Sequence, residues 1–181
     1  MHWNWTLSEW PNFISRASEL DSLERRFLLA SGEVLGAVRH VGQGDRDRLQ
    51  IELLSEEALR TSAIEGEILD RLSVQSSLRR HFGLAPDTYP EMPREQGVSA
   101  MMVDVYASFQ APLDHQTLFN WHHMLLAHDS GLEVVGGYRS HSNTMQIVSG
   151  SAGRPTVHFE APPSARVPDE MKALVIWFNR T

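Results

Sequence analysis

Apolar residues recur along this chain at two spacings, and the spacing names the elements. From Leu20 to about Val41, the residues Leu20, Leu23, Phe27, Ala30, Val34 and Val38 follow the three- and four-residue steps of one helical stripe. Gly42-Gln43-Gly44 ends that run, and Asp45 is expected to cap a second helix carrying Leu49, Leu53 and Leu54. Asp70-Arg71-Leu72-Ser73 reads as a new start, with a short helix near Val74–Phe82 closed by Gly83. Beyond the prolines, Val98, Met101, Met102, Val105 and Phe109 predict a helix over 96–109, and Asp114 precedes another from about His115 to His128. Met171, Leu174, Val175 and Phe178 predict a last helix with one buried face, opened by Pro168-Asp169-Glu170.

Two segments break the helical period. Met145–Val148 and Thr156–Phe159 read as short strands, joined by a polar loop holding Gly150 and Gly153. A hairpin of two strands is marginal in water unless one face is packed, and its edge offers unpaired backbone groups. Pro86, Pro90 and Pro93 forbid regular helix between Leu84 and Arg94, so the chain divides best there, into 1–88 and 89–181. The fold class is therefore mainly α with a small β-hairpin.

Composition excludes more than it selects. The formal net charge of −7 argues against a nucleic-acid surface, and the absence of cysteine removes disulfides and thiolate metal sites. With 41% hydrophobic residues the chain has enough apolar material for a core. No apolar run approaches the roughly 20 residues that span a bilayer, and Met1-His2-Trp3 lacks the features of an export signal. A cytoplasmic protein is the expectation.

Candidate chemistry is sparse. His115, His122, His123 and His128 share one helical segment, but they miss the i, i+4 spacing that lets two imidazoles hold one ion; helix-surface or core-edge roles are expected, with no metal. Trp3, Trp5, Trp10 and Phe13 crowd the N-terminus, and aromatics so placed usually pin a terminus to a core or a partner. In Arg60–Leu69, Ile64 and Ile68 sit four apart as on one helix face, and Thr61 and Glu65 share a neighbouring face. Gly66 is anomalous in mid-helix, and is expected to clear space for an approaching group. The plain alternative is a solvated helix end bearing Glu65, Glu67 and Asp70. Arg139, after Gly136-Gly137, is suited either to anchoring the bend through a carbonyl or carboxylate or to facing a phosphate.

Thr61-x-x-x-Glu65-Gly66 resembles the inhibitory motif, Ser/Thr-x-x-x-Glu-Gly/Asn, of the Fic family of protein adenylyltransferases. Trp3-Asn4-Trp5 with Trp10-Pro11-Phe13 is similar to the N-terminal extension of Fic proteins that carry their inhibitor ahead of the core. Gly137-Tyr138-Arg139 through Val157-His158-Phe159 to Pro162-Pro163 resembles the approach to the Fic active site and its flap. The family signature, His-Pro-Phe-x-Asp/Glu-Gly-Asn-Gly-Arg-x-x-Arg, does not occur, and the chain ends at Asn179-Arg180-Thr181. The resemblance thus implies the front portion of a Fic protein, a helical extension followed by part of a Fic-like bundle with its flap, inactive as it stands.

In the complete family the signature histidine is the expected general base, its acid holds Mg²⁺, and the target hydroxyl attacks the α-phosphate of ATP. The resemblance makes Thr61, Glu65 and Gly66 the inhibitory set, Glu65 competing for the signature arginine that clamps ATP. Ile147, Val148, Thr156, Val157 and His158 take the flap positions that hold the target protein as an added strand. ATP and Mg²⁺ belong to the complete enzyme; no membrane or nucleic-acid partner is implied, and a homo-oligomer is left open. Two other classes compete: a helical interaction module binding through its aromatic N-terminus and flap, and a metal-dependent hydrolase built on the histidine helix.

Overall fold

In the computed structural model, residues 2–12, 20–85, 89–151 and 153–180 are described; Phe13 and Pro86 lie outside them. Six α-helices run in order: α1 (Asp21–Val38), α2 (Gln43–Ile64), α3 (Arg71–His81), α4 (Pro93–Ser108), α5 (His115–Leu126) and α6 (Val167–Phe178). Between α5 and α6 lie β1 (Gln146–Ser149) and β2 (Thr156–Glu160), an antiparallel pair. The chain forms two compact units, residues 1–40 with 139–170 and residues 41–138 with 171–181. The expected division near residue 88 falls inside the second unit. There α3 and α4 pack against each other, so the residues before and after the expected division share one unit.

The second unit holds the core. Ile51, Leu54 and Ala58 of α2, Leu69, Val74 and Leu78 of α3 and its approach, and Met102 of α4 are buried together. Small polar residues let these helices approach: Ser55, Ser73, Ser76 and Ser99 are fully buried. Buried hydroxyls need partners: Ser55 donates to the Ile51 carbonyl at 2.6 Å, and Ser73 accepts from the Met92 amide at 2.9 Å. Gly97 serves the same purpose between α4 and α5, where a Cβ would collide with the Met124 carbonyl.

Helix ends follow from capping. Asp70 accepts from the Ser73 amide at 2.8 Å and Asp114 from the Thr117 amide at 2.7 Å, starting α3 and α5. For α2 the cap is Gly42 and not Asp45: the Gly42 carbonyl takes the first helical bond from Arg46, leaving Asp45 in the first turn beside the positive end of the helix. α4 begins at Pro93, earlier than expected, because proline at the first helical position loses no needed N–H.

The buried side of α2 is Ile51, Leu54, Ser55 and Ala58, two large apolar residues and two small ones, whereas Leu49 and Leu53 are exposed. Phe109 at the end of α4 is exposed as well. The stripe on α1 and the expected buried face of α6 contain no buried residue.

In the first unit, β1 and β2 pair Gln146 with Glu160, Ile147 with Phe159, Val148 with Val157 and Ser149 with Thr156. The register slips between Ile147 and Val148, so His158 is the extra residue of a bulge on β2. A packed face steadies the hairpin: Trp3 meets Phe159 edge-on at 5.9 Å between ring centroids, and the Trp5 indole donates to the Glu160 carbonyl at 2.6 Å.

Candidate functional site

Residues 61–66 end a helix. α2 stops at Ile64, Glu65 is its C-cap, and Gly66 adopts φ +81°. The Gly66 amide donates to the Ala63 carbonyl at 3.1 Å and the Glu67 amide to the Ser62 carbonyl at 2.8 Å, the paired bonds of a Schellman turn. Gly66 is thus favoured by its backbone conformation, and nothing lies within 4 Å of where its Cβ would be, so the space beside it is open. The expected face of Ile64 and Ile68 does not form. Ile68 lies beyond the helix, and the two are 83% and 89% exposed.

The turn sets Thr61, Ser62 and Glu65 on the wall of a groove of about 440 Å³ within the second unit. Its floor is apolar: Ala58, Leu69, Val98, Met101, Met102, Leu125 and Leu126. The polar rim comprises Glu67, Arg94, His128 and Asp129. Arg94 is taken by an ion pair with Glu67, and Asp129 accepts from the Gly131 amide at 2.8 Å. The Glu65 carboxylate has neither ion pair nor side-chain hydrogen bond among the described residues. A lone carboxylate above an apolar floor is a poor place for another anion and a good one for a guanidinium, whose flat faces tolerate apolar contact.

The flap residues occupy the hairpin of the first unit. Ile147 and Val148 are exposed on β1; Thr156 and His158 are exposed on β2, with Val157 half-buried between them. The bulge turns His158 toward Ser149, and its Nε2 lies 2.6 Å from the Ser149 hydroxyl. Arg139 donates to the Pro162 carbonyl at 2.5 Å, closing the base of the arm, and the Ser164 hydroxyl donates to the His141 carbonyl at 2.6 Å.

The N-terminal aromatics are drawn into the same unit. Besides its bond to Glu160, Trp5 carries the Arg166 guanidinium over its ring at 5.2 Å. Arg166 pairs with Glu170, and Glu170 accepts from the Trp10 indole at 3.0 Å. Donation from Trp10, then the Arg166 charge, holds the Glu170 carboxyl below its usual range. The sequence signalled an anchored terminus; its partners, Glu160, Arg166 and Glu170, carry no local pattern that reveals them.

Two histidines of α5, His115 and His122, hold the segment that follows it. The Gly136 amide donates to His122 Nδ1 at 2.8 Å, and His115 meets the Tyr138 hydroxyl. Burial raises the Tyr138 phenol above its ordinary value. Among the described residues no group of three or more His, Asp or Glu is arranged to hold a metal ion. Nor is any described helix long and apolar enough to cross a membrane.

Fold and site together define a mainly α-helical protein with a braced β-hairpin arm and an acid-rimmed apolar groove. Residues 3–84 match the model of a family described as a domain of unknown function, DUF4172, a span that holds α1 to α3 and the 61–66 turn. No curated protein matches the chain.

Proposed function

We propose that this chain is the regulatory and target-docking part of a Fic-type protein adenylyltransferase, with Glu65 as its brake. The observation that carries the reading is the Glu65 carboxylate on the groove wall, beside Thr61 and unpaired among the described residues, with the neighbouring Arg94 already engaged by Glu67. A guanidinium brought to Glu65 meets an unsatisfied acceptor, and the resulting pair is charge-assisted and often bidentate. An arginine so held is lost to the γ-phosphate of ATP, and misplacing the phosphates by about an ångström costs on the order of a hundredfold in rate. The Schellman turn fixes where the carboxylate stands.

The hairpin supplies the second part. Its β1 and β2 residues Ile147, Val148, Thr156, Val157 and His158 offer backbone groups to an added strand, which aligns a target hydroxyl with little demand on target sequence. Trp3 and Trp5 brace that arm from one side. ATP and Mg²⁺ belong to the Fic core in this reading, because the signature loop that would hold them does not occur in this sequence.

The test joins this chain to a Fic core bearing the signature loop and measures transfer of labelled AMP from ATP. Glu65→Gly is expected to raise transfer by about tenfold or more over wild type, and Glu65→Gln to raise it less. Equal labelling by wild type and Glu65→Gly would remove Glu65 as the brake.

A further inference from the structure

α1 is an 18-residue helix, about 27 Å long, that buries none of its residues. Among its apolar positions, Leu20 at the N-cap with Leu23, Phe27, Ala30, Val34 and Ala37 alternate steps of three and four, the a and d pattern of a coiled coil held for about two and a half heptads, while Leu28, Leu29 and Leu35 lie outside that seam. These are large residues left in solvent: Leu23 is 54%, Phe27 70% and Val34 62% exposed. An apolar seam of this kind lowers its free energy by pairing.

We propose that the occupant of this seam is α1 of a second copy, running antiparallel. Size complementarity favours that direction. With a positions opposite d positions, Phe27 of one copy faces Ala30 of the other, Leu20 faces Ala37, and Leu23 faces Val34, so every bulky side chain meets a smaller one. Charge decides the direction. Arg26 and Glu33 occupy successive g positions, and antiparallel helices bring g against g, giving two Arg26–Glu33 pairs across the dyad. Parallel helices bring g against e, where Ser31 and Val38 stand, and form no pair. A single helix pair lies below the roughly 800 Å² per partner of a standard interface, so the dimer is weak, with a Kd of about micromolar order. This pairing stands independently of any role for Glu65.

Sedimentation of the 181-residue chain between about 1 and 200 µM tests it. A concentration-dependent dimer is expected, and Arg26→Glu or Glu33→Arg alone weakens it about tenfold by turning two attractions into repulsions. An equimolar mixture of the two variants is expected to regain a dimer at least as tight as wild type. One copy then carries acid at both g positions and the other carries base at both, so each pair across the dyad attracts. Circular dichroism confirms that helix content is kept; should either variant lose it, Arg26→Gln, which removes the attraction without adding repulsion, is expected to give an intermediate Kd. A monomer at every concentration overturns the proposal, as does a dimer indifferent to Arg26 and Glu33, or a mixture no tighter than its components.

Discussion

The indole N–H of Trp5 donates to the Glu160 carbonyl at 2.6 Å, joining residues 155 positions apart in the chain. The bond lies at the end of β2, where Trp3 covers Phe159 and Gln146 donates to the Glu160 side chain at 2.9 Å. A two-stranded sheet has little stability of its own, so its order depends on this brace. Trp5→Phe keeps the ring under Arg166 and removes the indole N–H, at an expected cost of about 1 kcal/mol. Hydrogen exchange at the Ile147, Val148 and Phe159 amides is expected to quicken severalfold in Trp5→Phe and more in Trp5→Ala, with α3 and α4 unaffected. Unchanged hairpin exchange in Trp5→Ala would show that the arm holds itself.

A second prediction concerns the turn that places Glu65. Gly66 sits at φ +81° with open space around its missing Cβ, so substitution meets a conformational cost without a steric one. Gly66→Ala is expected to lower stability by about 1–2 kcal/mol in urea denaturation, and Gly66→Asn by less, because asparagine tolerates the left-handed region. Equal losses in the two variants would place the cost elsewhere than in the backbone angle.

This turn also shows how far the sequence can be read. The order of helices, the hairpin, and the Asp70 and Asp114 caps are legible because each rests on local periodicity or local hydrogen bonding. Gly66 reads as mid-helix because Ile64 and Ile68 keep helical spacing across it, although a glycine after a long helical run is also the ordinary terminator. Two signals conflict, and backbone geometry prevails over an apolar pair that stays in water. Likewise the core side of α2 is marked by Ser55 and Ala58, whose small size matters only once α3 and α4 come close. Periodicity identifies a face and not what lies against it, which is why the α1 and α6 stripes are readable and their exposure is not. The groove beneath Glu65 joins residues from three helices, and no local pattern encodes such a meeting.

Close helix approach leads to a third prediction. Gly97 of α4 lies against the Met124 backbone of α5, leaving no room for a methyl group, while Leu78 of α3 is fully buried in the core. Leu78→Ala removes apolar contacts and is expected to cost about 2–5 kcal/mol. Gly97→Ala adds a methyl where the obstacle is backbone, and is expected to cost about 1–3 kcal/mol through displacement of α5. Thermal melts give both. Gly97→Ala as stable as wild type would contradict the close crossing of α4 and α5.

The last prediction is acid sensitivity. Asp114 accepts from the Thr117 amide at the start of α5, which holds its carboxyl below the ordinary value of 3.8. Glu170 is likewise held below 4.5, first by the Trp10 indole and then by Arg166. A carboxyl whose pKa is lower in the folded state binds protons more readily when unfolded, so falling pH favours unfolding. Its contribution is complete above the unfolded value and is lost as pH falls through the folded one. Melting temperature is therefore expected to hold from about pH 7 to 5 and to fall steadily from about pH 4.5 to 2.5. Asparagine also caps helices but carries no titrating proton, so Asp114→Asn separates hydrogen bond from charge. That variant is expected to melt slightly lower than wild type at neutral pH, and the gap is expected to narrow as acid protonates Asp114 in the wild type. A gap that stays constant down to about pH 2.5 would mean that the cap acts through its geometry alone.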